Sequence, residues 1–118
     1  MPNLKEKQPT GVKPNQENLG IIRGMTFRAR VKLFEDKAKT KALNLTGVTV
    51  ELDIDGYLTL TEGAGLTVTK LQGEVVIELT AAQTQEAPPT ASLHYFLIFK
   101  EGTEKVVPLR GQLEISTP

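Results

Sequence analysis

The sequence predicts an all-β protein, with a β-sandwich as the natural architecture and a barrel as the alternative. Apolar and polar residues alternate with a period of two in one segment after another, which is the pattern of strands with one buried face. Turn residues separate these segments at short intervals, so that seven or eight strands fit in the chain. At 118 residues, the chain has the size of one ordinary domain.

The first clear strand is predicted over residues 25–33. Its odd-numbered positions would face the core; they are Met25, Phe27, Ala29, Val31 and Leu33. Its even-numbered positions include Arg28, Arg30 and Lys32, so we expect a basic, solvated face on this strand. Residues 35–42 are charged and have no period, which predicts an exposed loop.

The second strand is predicted over residues 48–54 and has an acidic outer face. Its inward positions would be Val48, Val50, Leu52 and Ile54. Glu51, Asp53 and Asp55 occupy the alternate positions and would face solvent. The dipeptide Asp55-Gly56 then indicates a hairpin, because both residues tolerate a positive φ.

Three further strands and one short helix are expected next. The strands are predicted at residues 57–61, 66–70 and 75–79, with glycine turns at 62–65 and at Gly73. Thr80 is a predicted helix N-cap, and Gln83 completes a capping box with it. Pro88-Pro89 would end the helix.

The last two strands differ in their pattern. Residues 91–100 are apolar on both faces, which is typical of a strand in the middle of a fold or against a partner. Residues 106–115 form the final predicted strand with one apolar face. That face would hold Val107, Leu109, Leu113 and Ile115.

Residues 1–18 are predicted to form an extended N-terminal arm, and residues 19–118 the folded domain. The arm contains three prolines and the cations Lys5, Lys7 and Lys13, with very few aliphatic residues. Such a segment buries too little apolar surface to offset the entropy of ordering itself. It also lacks a hydrophobic stretch, so no secretory signal peptide is expected there.

The net charge of zero hides an asymmetry along the chain. Residues 1–42 hold ten Lys or Arg against four Asp or Glu, whereas residues 43–118 hold four against ten. If folding keeps these charges apart, the basic face of one copy would dock on the acidic face of another. The alternative is that the charges mix in space and cancel. The candidate interface residues are Lys5, Lys7, Lys13, Arg28, Arg30, Lys32, Glu51, Asp53 and Asp55.

Several short segments follow the order of a known family. They are Gly24-Met25-Thr26-Phe27-Arg28, Leu45-Thr46-Gly47, Leu79-Thr80-Ala81-Ala82-Gln83-Thr84, Tyr95, and Leu109-Arg110-Gly111-Gln112-Leu113-Glu114-Ile115. In this order, residues 19–116 resemble the immunoglobulin-like domain of tailed-bacteriophage virion proteins, typified by the N-terminal domain of phage baseplate upper proteins. The resemblance implies an immunoglobulin-like β-sandwich of seven or eight antiparallel strands that docks on virion parts without catalysis.

The residues offer little for catalysis or for cofactors. His94 is the single histidine and there is no cysteine, so the usual zinc ligand set is missing, and we expect a structural or interface role for His94. Residues 53–56 open like a calcium loop, but Leu58 and Ala64 stand where an EF-hand needs its Gly and its Glu. The basic residues lack interleaved aromatics, which argues against nucleic-acid binding.

Sequence reasoning therefore leaves three classes of function. The first is a non-catalytic virion structural protein of the tail, baseplate or neck, with other virion proteins and copies of itself as partners. The second is a capsid decoration protein, and the third is a carbohydrate-binding β-sandwich, which the lack of Trp disfavours. We expect localisation in the virion. We expect no enzyme activity, cofactor, metal, small-molecule substrate, nucleic acid or membrane partner.

Overall fold

A computed structural model describes residues 15–16, 18–35, 40–89 and 92–118. Within these residues the chain is built of β-strands, and the prediction of an all-β protein is confirmed. The strands are β1 Asn15–Gln16, β2 Leu19–Ile22, β3 Phe27–Lys32, β4 Thr49–Ile54, β5 Leu58–Glu62, β6 Gly65–Thr69, β7 Glu74–Leu79, β8 Ser92–Glu101 and β9 Glu104–Ser116. A 3₁₀ turn at Lys70–Gln72 and a short helix α1 at Ala81–Gln85 complete the regular elements.

The strands form a single sheet that curls into a barrel-like shape. Their order is β1-β9-β8-β4-β5-β6-β7-β3, and β2 also pairs with β9. β2, which lies beside β1 on β9 at one end of the sheet, and β3, at the other end, are consecutive in the chain, and only residues 23–26 separate them. The sheet must therefore curl until its ends come close. The predicted division into two separate sheets is not seen, because β5 pairs with β4 and also, over two positions, with β6.

Parallel pairing at one end of the sheet departs from the antiparallel prediction. β1 and β2 both run parallel to β9, and each residue faces the residue 94 positions later, from Asn15 opposite Leu109 to Ile22 opposite Ser116. The side-chain oxygen of Asn18 bridges the interruption by accepting the backbone N–H of Gln112 at 3.1 Å. The sheet thus begins within the segment that the sequence assigned to the arm.

The core follows the predicted alternation with two corrections. The inward residues of β4 and of β8 are buried or half-buried as predicted. Met25 is 56% exposed, because it lies in the turn before β3 rather than in the strand. Val106 rather than Val107 packs on the core, because a register shift between Leu97 and Phe99 moves β9 by one residue.

Helix α1 begins with a capping box, as predicted, and forms hydrogen bonds with the turn between β2 and β3. The Thr80 side chain accepts the backbone N–H of Gln83, and the Gln83 side chain accepts that of Thr80. Thr84 is fully buried. Its hydroxyl donates to the Met25 carbonyl at 2.8 Å and accepts the backbone N–H of Gly24 at 3.0 Å. A five-residue helix therefore fixes the turn that joins β2 to β3.

Candidate functional site

The predicted basic face lies on the outer surface of β3, at one end of the strand order. Arg28 and Arg30 are exposed, and each meets a carboxylate of the adjacent strand β7. Arg28 Nε lies 3.4 Å from Glu78 Oε1, and Arg30 Nε lies 3.6 Å from Glu74 Oε1. Exposed ion pairs of this kind are weak. They nevertheless join cations from residues 1–42 to carboxylates from residues 43–118. The predicted separation of positive and negative charge is therefore partly cancelled.

Lys32 ends the basic face and leads into the predicted loop. Its ammonium lies 5.9 Å from the centroid of the Phe34 ring, within range of a cation–π contact. Phe34 forms an isolated bridge with Ala42, and Lys41 Nζ lies 3.2 Å from Glu35 Oε2. These contacts close the base of the loop, whose residues 36–39 lie outside the described part.

The predicted acidic face lies on β4, and three strands, β5, β6 and β7, separate it from the basic face on β3. Glu51 Oε2 lies 2.6 Å from Lys100 Nζ, and Asp53 accepts the Thr59 hydroxyl at 3.1 Å. Asp55 is exposed at the hairpin turn. The two faces therefore lie on separate parts of the sheet. The charge of Glu51 is neutralised by Lys100 of the same chain. Lys5, Lys7 and Lys13, which complete the predicted interface, lie outside the described residues.

A groove across β8 and β9 was not singled out from the sequence. It has a volume of about 630 Å³ and is lined by Asn18, His94, Phe96, Arg110, Gly111 and Gln112. His94 and Arg110 are exposed there, and Phe96 is half-buried. A possible signal was the outward alternation of Arg110, Gln112 and Glu114 in the last strand. The groove presents hydrogen-bond donors beside one aromatic ring.

Residues 53–56, whose sequence opens like a calcium loop, lead into an ordinary hairpin turn. The Tyr57 backbone N–H donates to the Ile54 carbonyl at 3.0 Å, and Gly56 adopts a φ of 76°. In the described ranges, no group of three or more His, Asp or Glu side chains is placed to hold a metal ion. No helix in the described part of the chain is long and apolar enough to span a membrane.

Neither tyrosine is available as a flat platform for a sugar ring. Tyr95 is buried, with 1% of its surface exposed. Tyr57 is half-buried, and its hydroxyl donates to the Gln83 carbonyl of α1. Burial raises the pKa of the Tyr57 phenol, and the nearby Glu86 carboxylate raises it further. Sequence reasoning identified both residues but could not tell that both are engaged in the fold.

The chain matches no protein-family model, and no curated protein is significantly similar to it.

Proposed function

We propose that this chain is a non-catalytic, immunoglobulin-like assembly module of a tailed-phage virion, located in the tail, baseplate or neck. The proposal rests on the sequence resemblance together with one structural observation, the order of the strands. Immunoglobulin-like sandwiches of the constant type hold strands A, B, E and D in one sheet and C, F and G in the other.

The neighbours of six strands fit this scheme, whereas β1 and β2 pair with β9 and not with β3. With β3, β4, β6, β7, β8 and β9 as strands B, C, D, E, F and G, the pairs β3–β7 and β7–β6 correspond to B–E and E–D. The pairs β4–β8 and β8–β9 correspond to C–F and F–G. β5 is then an additional strand that joins the two groups, and it meets β6 over only two positions. This order supports a sandwich whose sheets are linked along one side.

The burial of Tyr95 near the start of β8 agrees with this scheme. In many immunoglobulin-like domains a tyrosine lies near the start of strand F, at the corner that follows strand E. Tyr95 is the fourth residue of β8, comes shortly after α1, and is buried. We therefore favour the immunoglobulin-like topology over an unrelated barrel.

The arrangement of the charged faces around this domain supports the proposed assembly role. β1, which holds the first described residues, begins beside Leu109 of β9. The basic face on β3 and the acidic face on β4 are separate surfaces, which allows an arm contact and a face contact at the same time. A carbohydrate-binding role is less well supported, because neither tyrosine offers a ring to stack on a sugar.

The test is to find the protein on particles. We expect gold-labelled antibodies against this chain to mark the tail end of gradient-purified virions from the source phage. A label spread over the head would replace this proposal by the capsid decoration role. Absence of the chain from purified particles, measured by quantitative mass spectrometry, would overturn both.

A further inference from the structure

Strand β3 has an open edge. Among the described residues it pairs with β7 alone. The Leu33 N–H donates to the carbonyl of Gly73, directly opposite, so odd-numbered positions of this ladder are the hydrogen-bonded ones. The backbone N–H and C=O groups of Arg28, Arg30 and Lys32 therefore point away from β7, toward the open edge. Three successive alternate residues offer main-chain donors and acceptors there.

This edge is regular, unlike the edge at the other end of the sheet. β3 keeps its register with β7 over six consecutive pairs, from Phe27 opposite Leu79 to Lys32 opposite Glu74, without a bulge or a proline. The opposite edge, formed by β1 and β2, is interrupted between Gln16 and Leu19. A straight edge is a template for a further strand, and proteins usually blunt such edges.

The inward side chains of β3 are incompletely covered. Phe27, Ala29 and Val31 are half-buried, whereas the β7 residues opposite them are almost fully buried. Those partners are Leu79 at 1% exposed, Ile77 at 2% and Val75 at 0%. Surface is thus left that an added strand would bury.

The charges beside the open edge of β3 indicate which kind of segment would bind there. Residues 1–14 of this chain are a poor fit, because they carry Lys5, Lys7 and Lys13 against one acid, with three prolines. β3 of a second copy is also disfavoured, because an antiparallel pair would set its cations against those of the first. The Arg28 and Arg30 ion pairs engage Nε, and both side chains are two-thirds exposed. Other N–H groups of each guanidinium remain for a further carboxylate.

We propose that the open edge of β3 binds, by strand addition, an extended segment of a partner protein in which acidic and aliphatic residues alternate. The acidic side chains would lie beside Arg28, Arg30 and Lys32, since residues of one face repeat every ~7 Å in any strand. The aliphatic ones would cover Phe27, Ala29 and Val31. This inference rests on the proposed function, because it names the docking surface of the assembly module.

The probe is a fluorescent peptide of eight alternating Glu and Val residues, titrated with the full chain and followed by anisotropy. A matched peptide with Lys in place of Glu is the charge control. We expect the Glu peptide to bind and the Lys peptide to bind at least about tenfold more weakly. In NMR spectra the amide signals of Arg28, Arg30 and Lys32 should shift most. Equal binding of the two peptides would overturn the proposal.

Two variants of one residue separate main-chain pairing from simple charge attraction. Arg30→Ala removes the side chain, and Arg30→Pro removes the side chain together with the edge N–H. We expect Arg30→Pro to bind the Glu peptide about tenfold more weakly than Arg30→Ala. Equal affinities would mean that no strand is added. Circular dichroism and urea midpoints check that both variants fold.

A change in the peptide keeps the test valid if Arg30→Pro does not fold. N-methylation of alternate peptide residues blocks one edge of the peptide strand and leaves the protein unchanged. Two peptides are needed, one methylated at the odd-numbered residues and one at the even-numbered residues. One of these two peptides should lose binding, and the other should bind as the unmethylated peptide does. Binding of both methylated peptides would overturn strand addition. Since these titrations use purified protein, they are independent of particle labelling: binding without a virion label would refute the virion role alone.

Discussion

Strands β3 and β7 lie side by side but differ in how far their inward residues are buried. Their apolar positions face each other in register, as in the pair Val31 and Val75. β7 has a neighbour on both edges, and its inward residues are almost completely buried. Among the described residues β3 has one neighbour, β7, and its inward residues are half-buried. Alternation therefore decides which face of a strand is apolar, but the number of neighbours decides how much of that face is covered.

The pair Val31 and Val75 offers the most direct way to break this comparison. Val75→Ala removes fully buried methyl groups and should lower the free energy of unfolding by about 2–3 kcal/mol. Val31→Ala should cost about 1 kcal/mol, because its methyls are already partly in water. Urea unfolding of both variants measures the difference. Equal costs would mean that β3 is covered in solution.

Two glycines near strand ends have the same backbone conformation but differ in how closely other backbone atoms approach them. Gly73, beside the end of β3, and Gly102, in the β8–β9 turn, both have a φ of 60°. A Cβ at Gly73 would lie 2.7 Å from the Leu33 and Leu43 carbonyls, whereas a Cβ at Gly102 would meet nothing within 4 Å.

Both glycine-to-alanine changes carry the strain of a left-handed residue, about 1–2 kcal/mol. Gly73→Ala should cost about 1–3 kcal/mol more, because backbone must move to make room. Thermal unfolding of the two variants is the measurement. Similar melting temperatures would show that the approach of residues 33 and 43 to Gly73 is looser than the structure has it.

Tyr57 tests a part of the sheet away from the open edge. Tyr57→Phe removes the hydrogen bond to the Gln83 carbonyl and should cost about 0.5–1.5 kcal/mol at neutral pH. Because the folded pKa of Tyr57 is raised, the parent has its full stability below the ordinary value of 10.0. It loses stability as the pH rises beyond that value, since the unfolded phenol ionises first. Urea midpoints across this range should fall less in the variant. An identical alkaline loss in both proteins would contradict this assignment.

The smallest effect is expected for the ion pairs that cross from β3 to β7. Arg28→Ala, Glu78→Ala and the double variant form a cycle whose coupling should be about 0.2–1 kcal/mol and should vanish in high salt. A coupling well above this range would mean that Arg28 is committed to Glu78. Its guanidinium would then be unavailable to a partner, which would count against the proposed docking edge.

Much of the fold could be predicted because its determinants are local. Strand faces follow from alternation, as in residues 48–54, and the helix start follows from Thr80 and Gln83. The exception at Met25 arose because alternation runs past the end of a strand. Val107 was misplaced because a bulge shifts the register by one residue, and such a shift depends on the partner strand.

The candidate site was less predictable. The outward direction of Arg28, Arg30 and Lys32 could be predicted from their spacing. Their carboxylate partners on β7 could not, because Glu74 and Glu78 are more than 40 positions away in the sequence. The groove with Arg110 and Phe96 was missed for the same reason: it forms only when β8 and β9 are paired.

By itself, the sequence determined the class of this protein, its strand faces and its turns, since each depends on residues close together in the chain. Only the tertiary structure decided that β3 is an edge strand, that β1 and β2 run parallel to β9, and that one sheet links all the strands. These features depend on pairings between distant segments, which alternation cannot specify. The open edge of β3, on which the proposed docking depends, is a consequence of those pairings.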